Sequence, residues 1–171
     1  GGTNCVIEYF GDGCKNLSAT GKATIGNMGA EVGATTTVFG YDDAMKRYLT
    51  ATGRAAVAAM ADKVAKDLQA DDAVVANPEK YYDRVIEIDL STLEPYINGP
   101  FSPDAKMPLS TVAQTVREKG YPQKLEVALI GSCTNSSYED ITRAASVAKQ
   151  VLDNGLTFKT PLMVVPGSVR I

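Results

Sequence analysis

Leu125-Glu126-Val127-Ala128-Leu129-Ile130-Gly131-Ser132-Cys133-Thr134-Asn135-Ser136-Ser137-Tyr138-Glu139-Asp140 is the stretch whose reading decides the fold. The apolar-rich run 125–130 predicts a strand, and residues 131–135 break it with a small polar loop. Ser137, with Asp140 three residues on, has the form of a capping box and opens a helix. That helix continues through Ile141, Ala144, Ala145, Ala148, Val151 and Leu152 and meets Gly155 as its stop. Residues 162–165 predict a second buried strand, ended by Pro166-Gly167-Ser168. Strand, helix and strand make a βαβ unit, hence a parallel pair with a right-handed crossover. Parallel sheets carry function at the carboxyl ends of their strands. Loops 131–135 and 166–168 therefore share one rim.

Working outward toward the amino terminus, 109–119 predicts a helix started by Pro108 and ended by Gly120. Residues 95–108 hold four prolines, Asn98-Gly99 and little periodicity, and are read as a domain boundary. Ile86, Ile88 and Leu90 alternate with Glu87 and Asp89, which predicts a strand over 84–90. Residues 71–80 read as a polar connection. Val57, Met60, Ala61, Val64 and Leu68 recur at helical spacing, predicting a helix over 54–69. Asp42 and Asp43 suit the start of another helix. Strands are expected at 5–10 and 35–39, with a glycine-bearing buried helix within 22–32. The fold class expected is α/β, built of parallel-sheet three-layer α/β/α units, divided into 1–97 and 98–171.

The bulk composition is that of an ordinary globular chain. It has 171 residues, 44% hydrophobic and 22% charged, with a net charge of −3 and no block of like charge. That argues against a nucleic-acid or anionic-membrane surface as partner. No apolar stretch approaches the roughly 20 residues needed to cross a bilayer. Histidine is absent, so imidazole chemistry cannot be completed by this chain. The chain opens Gly1-Gly2 without Met and stops at Ile171 just after a strand-like run, so both ends are expected to be cuts in a longer polypeptide.

Three cysteines, Cys5, Cys14 and Cys133, make a poor disulfide framework, and no Cys-x-x-Cys is present. Cys133 lies in a strand-to-helix loop, where the helix amino end favours thiolate, the form that binds metal or attacks an electrophile. A nucleophile normally needs a base, and no histidine can serve, so the ligand reading ranks above the nucleophile reading. A buried cysteine acting as a small hydrophobe stays open on position alone.

The run 129–140 resembles the signature around the first cluster cysteine of the aconitase family. The block Leu17-Ser18-Ala19-Thr20-Gly21-Lys22-Ala23-Thr24-Ile25-Gly26-Asn27-Met28-Gly29-Ala30-Glu31-Val32-Gly33-Ala34-Thr35-Thr36 resembles a second part of that family, and Asn98-Gly99-Pro100-Phe101 and Val165-Pro166-Gly167-Ser168 resemble two more, in order. Gly131 to Asn135 is shared with related isopropylmalate and homoaconitate isomerases. The continuation through Asp140 is closer to mitochondrial-type aconitases.

The resemblance implies that Cys133 is the first of three cysteine ligands to a [4Fe–4S] cluster whose fourth iron acts as a Lewis acid. It implies that Glu31 is a catalytic carboxylate hydrogen-bonding the water or hydroxyl at that iron. Asn27 would bind substrate or support the cluster. Glu31 as a helix cap or ion-pair partner, and Asn27 as a turn residue, are the plainer readings of the same side chains. The parent is expected to be a hydro-lyase of the tricarboxylic acid cycle, interconverting citrate and isocitrate through cis-aconitate. Part of the family's second α/β domain would be 1–97, and the start of its third 98–171. The remaining domains would join in cis, in a monomer, mitochondrial in a eukaryote or cytoplasmic in a bacterium. No membrane or nucleic-acid partner is expected. By itself the chain is expected to be inactive and without the cluster. Another isomerase of the family, a non-catalytic α/β module, or an RNA-binding relative are the alternatives.

Overall fold

The computed structural model describes residues 1–171 apart from Pro103, Ser132 and Arg170. In chain order the elements are β1 (Val6–Tyr9), α1 (Asp12–Lys15), α2 (Ala19–Met28), β2 (Thr36–Phe39), α3 (Asp43–Ala51) and α4 (Ala55–Lys63). They continue as α5 (Asp72–Ala76), β3 (Tyr96–Asn98), β4 (Lys106–Pro108), α6 (Val112–Lys119), β5 (Ala128–Ile130), α7 (Tyr138–Asp153) and β6 (Leu162–Val164). Short 3-10 turns stand at Ala65–Leu68, Pro78–Lys80 and Leu109–Thr111.

Two βαβ units organise these elements. β1 pairs in parallel with β2 across α1 and α2, with Val6 opposite Thr36 and Tyr9 opposite Phe39. The last of these pairs stacks its rings at 4.8 Å, the kind of cross-strand contact that fixes register. β5 pairs in parallel with β6 across α7, with Ala128 opposite Leu162. The fold class is α/β, with each sheet two strands wide.

Helix ends follow their local chemistry. Ser137 Oγ accepts from Asp140 N–H at 3.2 Å, and the Asp140 carboxylate accepts from Ser137 N–H at 3.2 Å, closing the capping box at α7. Ile141, Ala144, Ala148 and Val151 form the half-buried face of α7, whereas Leu152 is exposed. Gly120 ends α6 in the left-handed region, where glycine carries no Cβ penalty. Asp42 caps α3 through Met45 N–H at 3.1 Å and also pairs with Lys22 of α2, which is only 3% exposed. One carboxylate thus ties two helices together.

Several expectations need correction. Segment 84–90 forms no strand; no strand among the described residues pairs with it, and Ile86, Ile88 and Leu90 are exposed. Pattern alone cannot supply the partner that a strand needs for its backbone hydrogen bonds. Segment 95–108, read as irregular, contains an antiparallel hairpin, β3 with β4, pairing Ile97 with Met107. The connection 71–80 contains α5 and a 3-10 turn. In α4, which ends at Lys63, Val57 and Met60 are exposed, as is Val64 at its C-cap, while Ala58 is 2% exposed. Small alanines let α3 and α4 approach closely, with Ala44 and Ala58 both buried. The helix within 22–32 starts earlier, at Ala19, and Lys22 is the buried side chain along it. The stretch 162–165 is exposed, because one helix and one neighbouring strand leave much of it uncovered.

The exposed surface is 13025 Å². A compact monomer of 18.1 kDa presents about 8,000 Å². Ala44, Ala58 and Met107 are the buried hydrophobic residues among those described.

Candidate functional site

The rim formed by the β5 and β6 ends is held by backbone contact. Val165 N–H donates to Ile130 O at 2.9 Å, and Gly167 N–H donates to Ser136 O at 2.9 Å. Gly131 has φ 146°, and a Cβ there would strike the Val165 carbonyl and come within 2.9 Å of Val165 Cβ. A Cβ on Gly167 would meet Ser136 O and Oγ at 2.9 Å. Only glycine permits such an approach at these positions. Loops 131–135 and 166–168 share a rim, as the topology predicts; Ser132 lies outside the described residues.

Cys133 projects from this rim, exposed and outside any disulfide. Its Sγ lies 3.6 Å from Thr134 Oγ1 and 3.8 Å from Asn27 Nδ2, which donates toward it. The same amide donates to Thr134 Oγ1 at 2.7 Å; its two N–H groups serve both acceptors. Asn27 stands on α2, so a helix of the amino-terminal part meets the loop of the carboxyl-terminal part.

Two more residues of α2 join this contact. Thr24 Oγ1 donates to Thr134 O at 3.4 Å, and Thr20 Oγ1 donates to the Glu139 carboxylate at the start of α7. Positions 20, 24 and 27 are four and three apart, which places them on one helix face. Hydrogen bonding from Thr20, then from Ser18, holds the Glu139 carboxyl below its ordinary range, and Arg143 adds to this. Glu139 also receives Arg143 Nη2 at 2.5 Å.

Of the residues singled out in the sequence, Asn27 and Cys133 are brought together. Glu31 sits exposed in the turn after α2, and no side-chain hydrogen bond or ion pair among the described residues joins it to either of them. Thr20, Thr24, Thr134 and Glu139 carry no functional mark in the sequence taken one residue at a time. Their signal is the polar 20/24/27 spacing on a helix that starts at its cap Ser18, whose Oγ accepts Gly21 N–H at 3.0 Å. Cys14 is half-buried, and burial raises its thiol pKa; Cys5 is exposed with Sγ 3.6 Å from Thr3 O. No three His, Cys, Asp or Glu side chains converge among the described residues.

The model for the aconitase family (aconitate hydratase) matches residues 1–171. The chain belongs to the aconitase family. It is 52% identical over 171 residues to a probable mitochondrial aconitate hydratase of Dictyostelium discoideum, covering all of this chain and 21% of that relative. It is 53% identical to the mitochondrial aconitate hydratase of Emericella nidulans and 50% identical to the mitochondrial homocitrate dehydratase of Saccharomyces cerevisiae, with the same coverage. The chain thus spans about a fifth of the length of these relatives. For an aconitase-family chain the rim chemistry fits one corner of an iron–sulfur cluster. Thiolate is the usual protein ligand of such clusters, Cys133 presents its sulfur at the surface, and an amide N–H already points at that sulfur.

Proposed function

We propose that this chain is part of an aconitate hydratase that interconverts citrate and isocitrate through cis-aconitate, and that Cys133 is one of three cysteine ligands of its [4Fe–4S] cluster. The observation that carries this is the meeting of Asn27 and Cys133, 106 residues apart in sequence, at the end of a parallel strand. When bound, the cluster supplies a Lewis-acidic iron that polarises the substrate's hydroxyl.

The chain's own residues hold and orient. Cys133 gives its thiolate as ligand, and Asn27 donates to that sulfur, a contact of the kind that tunes cluster potential. Glu31 is the carboxylate that exchanges a proton with the departing hydroxyl, a role that needs an exposed acid able to approach substrate. The amino-terminal part, 1–97, and the carboxyl-terminal part, 98–171, belong to successive domains, and the rest of the polypeptide covers the apolar surface left bare here. The names of the relatives favour the mitochondrial matrix in a eukaryote.

Cys133→Ser in the full-length polypeptide tests the ligand role. Iron and labile sulfide per chain should fall to background, together with citrate turnover. Retention of full iron content sinks the assignment. The isolated chain should form no stable visible chromophore on iron–sulfur reconstitution and show no hydratase activity; a stable chromophore on the monomer would overturn that reading. A second reading, homocitrate dehydration, draws on the name of the 50%-identical yeast relative. Comparing kcat/KM for citrate, isocitrate and homocitrate on the full-length enzyme separates the two.

A further inference from the structure

The Cys133 loop is pinned on two sides. Toward β5, Gly131 packs its backbone against Val165. Toward α7, the chain enters a capped helix whose second residue, Glu139, reaches Thr20 of α2. Between these points, Thr134 is held by Thr24 and Asn27. The Thr24 contact is long at 3.4 Å, and the Asn27 amide is neutral. The Thr20 to Glu139 contact ends on a carboxylate, and charge-assisted bonds are about twice as strong as neutral ones. Glu139 is further fixed by Arg143 one turn on, and its side chain is 30% exposed. It is therefore the firmest point at which α7 is fastened to α2.

Resting on the proposed ligand role of Cys133, we propose that Glu139 is a positioning residue, whose bond from Thr20 clamps the amino end of α7 to α2 and so holds Cys133 beside Asn27. Glu139 touches neither the sulfur nor any group expected to bind substrate. Its effect reaches Cys133 through the chain from 139 back to 133, which α7 makes stiff at one end and Gly131 at the other. Without the clamp, α2 and α7 can separate, and the Asn27 donor moves away from the sulfur.

The test uses the full-length polypeptide with Thr20→Val, Thr20→Ser, Glu139→Met, which has no oxygen acceptor for the Thr20 hydroxyl, and the double variant Thr20→Val/Glu139→Met. Two readouts are taken: the rate of cluster absorbance loss under chelator, and hydrogen exchange of 133–139 and 20–28 in cluster-free protein. Thr20→Val and Glu139→Met should each speed both readouts about tenfold, the change expected for about 1.4 kcal/mol. The double variant should be no faster than the faster single one, because Glu139→Met already leaves the Thr20 hydroxyl without its acceptor. Thr20→Ser keeps the hydroxyl and should stay within about twofold of the parent. Parental exchange rates in Thr20→Val and Glu139→Met, multiplicative effects in the double variant, or a Thr20→Ser as fast as Thr20→Val would each overturn the clamp. If Cys133→Ser keeps its iron, the ligand reading fails separately, and exchange alone still decides whether the clamp exists.

Discussion

Asp42→Asn should loosen α3 far more than Lys22→Met, although both break the same ion pair. Lys22 is 3% exposed and Asp42 is 21% exposed. Removing the carboxylate leaves an ammonium in the interior with no counter-charge, a loss of about 3–5 kcal/mol. The α3 cap itself survives, since Asn is as good an N-cap as Asp. Removing the ammonium leaves a carboxylate with a fifth of its surface in solvent and the Met45 N–H still donating at 3.1 Å. That loss is about 1–2 kcal/mol. The two variants should therefore differ by about 2 kcal/mol, roughly thirtyfold in local opening. Native-state hydrogen exchange of amides 45–50 in the full-length polypeptide reads this directly. Equal protection in the two variants, or a larger loss in Lys22→Met, would refute the argument that the buried partner governs the cost.

Gly131→Ala should cost about 3 kcal/mol, from overpacking against Val165 and an unfavourable φ. Gly155→Ala, at φ 67° with open space around it, should cost only about 1 kcal/mol; denaturation midpoints check the order, and a reversed order refutes it. Glu139 and Asp140 have carboxyls held below their ordinary values of 4.5 and 3.8, by Thr20 and Ser137 hydrogen bonds first. Their contribution is present above those values and lost as pH falls through the lower folded ones. The thermal midpoint should therefore fall more steeply on acidification in the parent than in Glu139→Gln/Asp140→Asn, and parallel curves would contradict this. Tyr82 is pushed up to about 12, by burial first and then by its hydrogen bond to Glu8. Its stabilisation is complete below the ordinary value of 10 and lost as pH rises toward 12. In an ultraviolet titration Tyr82→Phe should remove the latest-ionising phenol, and an unchanged upper limb would show the assignment to be wrong.

The second βαβ unit was legible because each signal was local. Strand composition, the Ser137 and Asp140 pair, the helical period of α7 and the Gly155 stop all lie within about forty residues and agree with one another. The Cys133 loop was legible for the same reason, since a strand-to-helix turn places it at a sheet rim. The α2 seam was not. Thr20, Thr24 and Glu139 are ordinary residues locally, and their meeting depends on how two units distant in sequence are brought side by side. The hairpin at 95–108 was hidden by its prolines. Pro108 sits at the end of β4, where the ladder no longer needs an N–H, and so interrupts nothing.

The misread burial of 84–90, of α4 and of 162–165 has one physical cause. An alternating or striped apolar pattern records that a face is covered, while the covering element can lie anywhere in the polypeptide. Ile86, Ile88 and Leu90 keep the alternation of a half-buried strand, yet no strand among the described residues pairs with them. Met60 and Val64 keep a helical stripe on the face away from Ala58. With about 8,000 Å² expected of a compact monomer and 13025 Å² found, the excess is the area over which such faces lie open. Under the proposed reading that area is where the other domains pack, and the polar seam gains strength from the same event. Excluding water around the partly exposed Glu139 lowers the local dielectric, which strengthens a charge-assisted hydrogen bond that solvent would otherwise screen. Domain closure and the positioning of Cys133 are then coupled: covering the apolar faces tightens the clamp that holds the ligand.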